Sequence, residues 1–194
     1  MNVPPEVWLR GPVDGIQPLL QPAAHTLLQV GEDVTPIVEH LTPAQLWARP
    51  GGAASIGFHL AHLPGSLDRL LTYSRGESLN PDQLASLAAE RNVYDDRPDL
   101  NSLLANFSAG LNAAIAYLRV VPPDSLLRVR EVGRKRLPST TLGLIFHAAE
   151  HSARHAGQIV TRDARGATPW APRCISNTSV EPRELRHRAA ASRL

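Results

Sequence analysis

LIFHAAEHSARHAGQIV, residues 144–160, carries the period of a helix. Leu144, Ala148, His151, His155, Gln158 and Arg162 step by four, three, four, three and four, the spacing of one helical face. The stretch predicts a helix from Thr141 to about Thr161, capped by Ser139 or Thr140. Residues four apart advance about 400° and lie one turn above one another. His151 and His155 therefore offer two imidazoles on the stripe that faces an interior. Two ring nitrogens at that spacing can reach one cation at roughly 2 Å each. His147 lies one turn before His151 but drifts about 80° from His155, which makes it the weaker member of the set.

Three further long helical periods lie upstream. The first runs roughly from Ala23 to Leu41, with Pro36 inside it and expected to kink or split it. Thr42-Pro43 then opens a short turn of helix. Pro50-Gly51-Gly52 breaks the chain before a second helix, Ser55 to about Tyr73, with Ile56, Leu60, Leu63 and Leu67 on its apolar stripe and a kink expected at Pro64. A short helix, Pro81 to Glu90, and a turn at 95–98 precede a third long helix from Pro98 or Asp99 to Val120. Residues 127–137 alternate apolar and charged side chains without an evident partner strand, and read as an extended loop. An all-α four-helix bundle is the fold these elements predict.

Composition agrees. The chain has 194 residues, 43% hydrophobic and 20% charged, ordinary values for one globular domain. Only nine aromatics are present, three each of Phe, Trp and Tyr, so the core is built mainly from Leu, Ala, Val and Ile. No uninterrupted apolar run approaches the ~20 residues of a membrane span. No basic region followed by an apolar core opens the chain, so a cytoplasmic protein is the expectation. One cysteine, Cys174, rules out an internal disulfide and a cysteine cage for a metal.

The pI of about 9.1 is a local effect. Residues 161–194 hold seven arginines against three acids, a net charge of +4, while residues 1–160 carry −2. No basic stripe for phosphates marks the body, so neither nucleic acid nor membrane is an expected partner. Residues 1–162 are read as one helical domain. Residues 163–194 are read as a basic, non-helical, disordered tail, whose bias towards Arg, Pro and Ala would also fit translation in a wrong reading frame. Asn177-Thr178-Ser179 matches a glycosylation acceptor, but without a secretory signal it is read as coincidence.

A third ligand must come from another helix, and the second helix offers His59 or His62. By angle His59 lies nearer the apolar stripe. Three neutral imidazoles would leave an open coordination position. Two other readings stand beside this one: histidines that only pack, or that bond backbone carbonyls. His25, His40 and His187 have no such pattern and read as surface or capping residues. Gln158 is a candidate to bond a histidine from outside the ligand set. Glu150 reads as a solvated residue. No general base stands out, with Glu150 and Asp68 the only suggestions, and no Ser-His-Asp, Cys-His or phosphate-cradling motif is visible.

Ser55 to His62, followed downstream by His151-Ser-Ala-Arg-His155-Ala-Gly157-Gln158-Ile159, resembles the DinB/YfiT-like metalloenzyme family over about residues 10–162. The resemblance implies an up-down-down-up four-helix bundle with a metal on His62, His151 and His155, choosing His62 over His59. It implies a divalent ion, zinc or nickel first and iron or manganese next. It also implies a small-molecule substrate, a low-molecular-weight thiol among the candidates, and a homodimer. The activities implied are thiol S-transfer or, second, hydrolysis. A non-catalytic metal- or ligand-binding stress-response bundle is the alternative.

Overall fold

The computed structural model describes residues 4–163. His187, Cys174, the sequon at 177–179 and the basic tail lie outside the described residues. Within them the chain is predominantly helical. The helices are α1 (Gln21–Val38), α2 (Pro43–Trp47), α3 (Ile56–Arg75), α4 (Pro81–Ala89), α5 (Val93–Asp96), α6 (Leu100–Val120) and α7 (Thr141–Asp163). Two short strands, β1 (Val129–Val132) and β2 (Leu137–Thr140), lie between α6 and α7.

Side chains at the starts of α2, α3, α4, α6 and α7 explain where these helices begin. The buried Ser55 hydroxyl accepts the Phe58 N–H at 3.1 Å, and Asp99 accepts the Ser102 N–H at 3.0 Å. Thr42 with Gln45 and Asn80 with Gln83 form complete capping boxes. Thr140, one of the two caps anticipated for the last helix, accepts the Gly143 N–H at 3.0 Å. Gly76, left-handed at φ 83°, ends α3.

One expectation about a proline and one about a loop need correcting. Pro36 does not split α1 into two helices; it stands in the last turn, and the helix ends two residues later. Pro64 likewise interrupts nothing in the assignment of α3. Residues 127–137 are not a free loop. Val129–Val132 pairs antiparallel with Leu137–Thr140, Val129 opposite Thr140, around a turn with Gly133 and Arg136 at positive φ. The partner strand lay inside the stretch taken as loop end and helix cap. The hairpin is tied down by Arg130, whose Nε donates to the Ser74 carbonyl (2.8 Å) at the end of α3 and to Thr141 Oγ1 (3.0 Å) at the start of α7.

The long helices pack α1 on α7 and α6, and α3 on α7 and α6. Their directions follow from individual contacts. His59 meets His155 and His62 meets His151, so α3 and α7 run antiparallel. Pro64 lies against Gly110 and the Ser74 hydroxyl donates to Tyr117 Oη, so α3 and α6 run parallel. Gln17 bonds the Val121 carbonyl, and Gly31 lies beside Leu111, so α1 opposes α6. One apolar cluster fills the centre, with Leu20, Leu27, Val34, Leu60, Leu63, Phe107, Leu118, Ile145 and Ile159 fully buried. Each such side chain contributes about 1.5–3 kcal/mol by leaving water. By length and composition α6 could cross a membrane. Here Leu103, Phe107, Leu111, Ala114, Ile115 and Leu118 face the core while Asn101, Asn106, Asn112 and Arg119 face out, the division of an amphipathic core helix.

Two glycines separate packing from propensity. A Cβ on Gly110 would stand 3.0 Å from Pro64 Cβ and 3.1 Å from its Cα, whereas one on Gly157 meets nothing within 4 Å. In urea unfolding, Gly110→Ala is expected to lose about 1–3 kcal/mol by overpacking. Gly157→Ala is expected to gain about 0.5–1 kcal/mol from helix propensity. Equal effects of the two substitutions would contradict the close α3–α6 contact.

Candidate metal centre

α3 and α7 build the centre from facing turns. The first turn of α3 is fixed at both ends of Ser55: its hydroxyl caps the helix and its N–H donates to Tyr94 Oη at 3.1 Å. His59 and His62 follow within two turns. His59 is 3% exposed, where the apolar stripe of α3 puts it. His62 sits at the edge of the core, half-buried. On α7, His151 and His155 occupy the same shallow depth.

Nitrogens of His62, His151 and His155 lie within 4.8 Å of one another, a group that could hold a metal ion. The three residues singled out by the family motif are thus brought together. His59 is not one of the three. Its Nδ1 instead stands 2.8 Å from His155 Nδ1, on the core side of the ligand set. Periodicity and motif each identified a real role: the stripe marks the buried histidine and the motif marks the one that joins the cluster.

The hydrogen bonds constrain the tautomers. Glu90 Oε2 lies 2.8 Å from His62 Nδ1, and Arg69 Nη1 donates to Glu90 Oε1 at 2.5 Å. A carboxylate only accepts, so His62 carries a proton on Nδ1, and in the neutral ring the lone pair stands on Nε2. That Nε2 stands 3.1 Å from His151 Nε2. Two ligands at ~2.0–2.1 Å on a tetrahedral ion stand about 3.3 Å apart, so this separation suits a shared cation. With Nδ1 of His155 engaged by His59, Nε2 is the nitrogen of that ring left for the cluster. The residues therefore fit a divalent ion: three neutral donors, two of them oriented from behind.

Electrostatics favour the neutral form at His59, His151 and His155. Burial, then the charges of His151, His59 and His62, push the His155 imidazole down to about 3. Burial, then Arg162 and His62, push His59 down to about 4. His151 is lowered by burial and by His62, with Glu150 opposing. Burial pushes the Glu90 carboxyl up, but hydrogen bonds from His62 and Arg69 outweigh this and hold it below the usual range.

Phe58 walls one side, its ring stacked on His62 (5.7 Å) and on Tyr94 (5.9 Å). Trp47 meets Tyr94 edge-on, and Arg49 lies 4.6 Å over the Tyr94 ring. The remaining sequence candidates fall outside. His147 is exposed, 5.7 Å from the His151 ring, with Nδ1 3.5 Å from Glu150. Glu150 is bound by Arg154. Asp68 is exposed and accepts from Gln83 at 2.7 Å. Gln158 is exposed and, among the described residues, bonds no imidazole, contrary to the expectation for it. His25 Nε2 lies 3.0 Å from the Gly11 carbonyl and His40 is exposed beside Glu39, as surface or capping residues would be.

Glu90 is the site residue the sequence did not reveal. It follows the last residue of α4, 28 positions from His62, and no periodicity links the two. Its nearest signal was a lone acid at the end of a short helix whose other residues are mostly exposed.

A helical chain with three histidines converging from two of its helices is the class of protein these observations define. The DinB superfamily model matches residues 26–159, and the chain belongs to that superfamily. No curated protein is significantly similar to it.

The depressed imidazoles give a signed pH dependence. The unfolded chain binds more protons than the folded one wherever His59 and His155 stay neutral only when folded. Stability is therefore complete above the free-histidine pKa of about 6.5 and is lost as pH falls towards 4 and 3. Metal-stripped protein is expected to lose urea resistance between pH 7 and 5, above the carboxylate range. The loss should be smaller in His59→Gln/His155→Gln. Equal slopes in the two proteins would contradict the buried neutral pair.

Proposed function

We propose that His62, His151 and His155 hold one divalent metal ion in a DinB-type bundle, and that the ion activates a small nucleophile. The four long helices are read as an up-down-down-up bundle, supported by α3 antiparallel to α7, α3 parallel to α6 and α1 antiparallel to α6. Residues 1–162 are read as its single domain.

The observation that carries the metal reading is the 3.1 Å approach of two Nε2 atoms, one of them on a ring whose Nδ1 is held by Glu90. Imidazole donors suit zinc, nickel, iron and copper; zinc or nickel is the assignment made here. When bound, such an ion acts as a Lewis acid and lowers the pKa of a water or thiol at its open position. The protein's own groups do the rest. Glu90 holds the Nδ1 proton of His62 and so fixes that ring's tautomer. His59 accepts the Nδ1 proton of His155 and does the same from the core side. Phe58, backed by Tyr94, covers one face of His62, while the partly exposed His151 leaves another approach open.

Among the described residues, no uncommitted carboxylate stands at the cluster. Glu90 is bound by Arg69 and His62, and Glu150 by Arg154. That favours a nucleophile needing no separate general base, a thiol, over hydrolysis. The same observation supports a second reading, a bundle that binds metal without turnover.

Metal analysis of protein purified without a histidine tag tests the first claim. Wild type is expected to hold about one ion per chain, and His151→Ala to lose it, as a single open site requires. Glu90→Gln is expected to weaken metal affinity about 10–100-fold, the usual effect of removing a group that orients a ligand. Equal, negligible metal in wild type and His151→Ala would contradict the site. Turnover of an electrophile with a low-molecular-weight thiol, lost in His151→Ala, would select the enzyme over the silent binder.

A further inference from the structure

Two buried side-chain nitrogens in the described residues have no hydrogen-bond partner: His59 Nε2 and Arg162 Nη1. The two are electrostatic neighbours, since the Arg162 charge is felt at His59. Arg162 lies on the interior stripe of α7, seven residues beyond His155. At 1.5 Å per residue its Cα stands about 10 Å further along the helix. No carboxylate among the described residues pairs with it. Arg154 makes the contrast: it is exposed and committed to Glu150 through contacts of 2.5–3.1 Å.

Arg162 as a whole is half-buried, and its Nη1 has given up hydration without gaining an acceptor. The tautomers sharpen the point. If Nε2 of His155 serves the ion, its Nδ1 carries the proton and donates to His59 Nδ1. His59 must then carry its own proton on Nε2. Both orphans are therefore donors, and what they lack is an acceptor. Both nitrogens are shut off from solvent, and of the two residues only Arg162 borders open space. A cavity of about 410 Å³ opens against Arg162, between Pro50 and Ala53 on one side and Arg154, Gly157 and Gln158 on the other.

We propose that Arg162 anchors an anion-binding subsite beside the metal centre, which takes the carboxylate of a small-molecule substrate. The guanidinium fork matches a carboxylate's two oxygens. Pro50, Ala53 and Gly157 leave the rest of the cavity suited to a short carbon skeleton. The cavity follows α7 from Arg162 back to Arg154, on the helix that also carries His151 and His155. This deepens the metal reading by naming a substrate class, and anion capture itself can be read with no metal present.

Succinate titrated calorimetrically into metal-stripped full-length protein tests it. Wild type is expected to bind saturably. Arg162→Gln should weaken binding about tenfold or more, the weight of a charge-assisted hydrogen bond, with Arg162→Lys between the two. His151→Ala, which removes a metal ligand, should bind succinate within about twofold of wild type, as separate sites do. Failure of the metal centre would thus leave this result standing. Arg162→Gln should also melt no lower than wild type, because an unpaired buried charge is gone. Succinate binding equal in wild type and Arg162→Gln, or absent from both, would overturn the proposal. So would a lower melting temperature for Arg162→Gln with no change in binding, which would make Arg162 structural.

Discussion

One stretch of α3, His59 to His62, lies antiparallel against one turn of α7, His151 to His155, and the polar features of the centre depend on that register. It sets His59 against His155 and His62 against His151 at hydrogen-bonding distance. A shift of α3 by one residue would rotate its face by about 100° and break both pairings. The register is held from outside the centre: the Ser55 cap and its Tyr94 bond fix the start of α3, Pro64 against Gly110 fixes its middle, and Arg130 ties its end to the start of α7. The β-hairpin, which carries no site residue, matters for this reason.

Four imidazoles gathered at the edge of an apolar core are expensive for a fold of this size. The lowered pKa values of His59, His151 and His155 are the measure of that cost, with burial the leading cause in each. Apolar residues of similar volume would pack there without the penalty, so the cluster is best understood as functional rather than stabilising. Glu90 and Arg69 compensate only one of the four rings. Arg162 adds a further unpaired donor at the next turns of the same helix. The strain is local, and the apolar cluster between the long helices carries the fold.

Much of this was legible in the residues. The four long helices followed from apolar periods of three and four, and the caps at Thr42, Ser55 and Thr140 from residue type. His151 and His155 followed from spacing alone. His62 did not, because periodicity pointed to His59 and only the family motif pointed past it. The reason is geometric: the apolar stripe reports the centre of a helix's buried face, while a metal cluster sits at its margin. Glu90 and the hairpin were illegible for a different reason. Each depends on a contact between segments with no common period, Glu90 with His62 and Arg130 with Ser74. Pro36 and Pro64 do not end their helices: each helix runs on through its proline, Pro36 standing only two residues from the end.

X-ray absorption at the zinc edge, on protein loaded with one zinc per chain, tests the centre most directly. Coordination by His62, His151 and His155 requires three nitrogen scatterers at about 2.0–2.1 Å with the outer-shell signature of imidazole rings. His62→Ala should lose one of them. A spectrum with one imidazole or none, or one that His62→Ala leaves unchanged, would contradict the three-histidine centre.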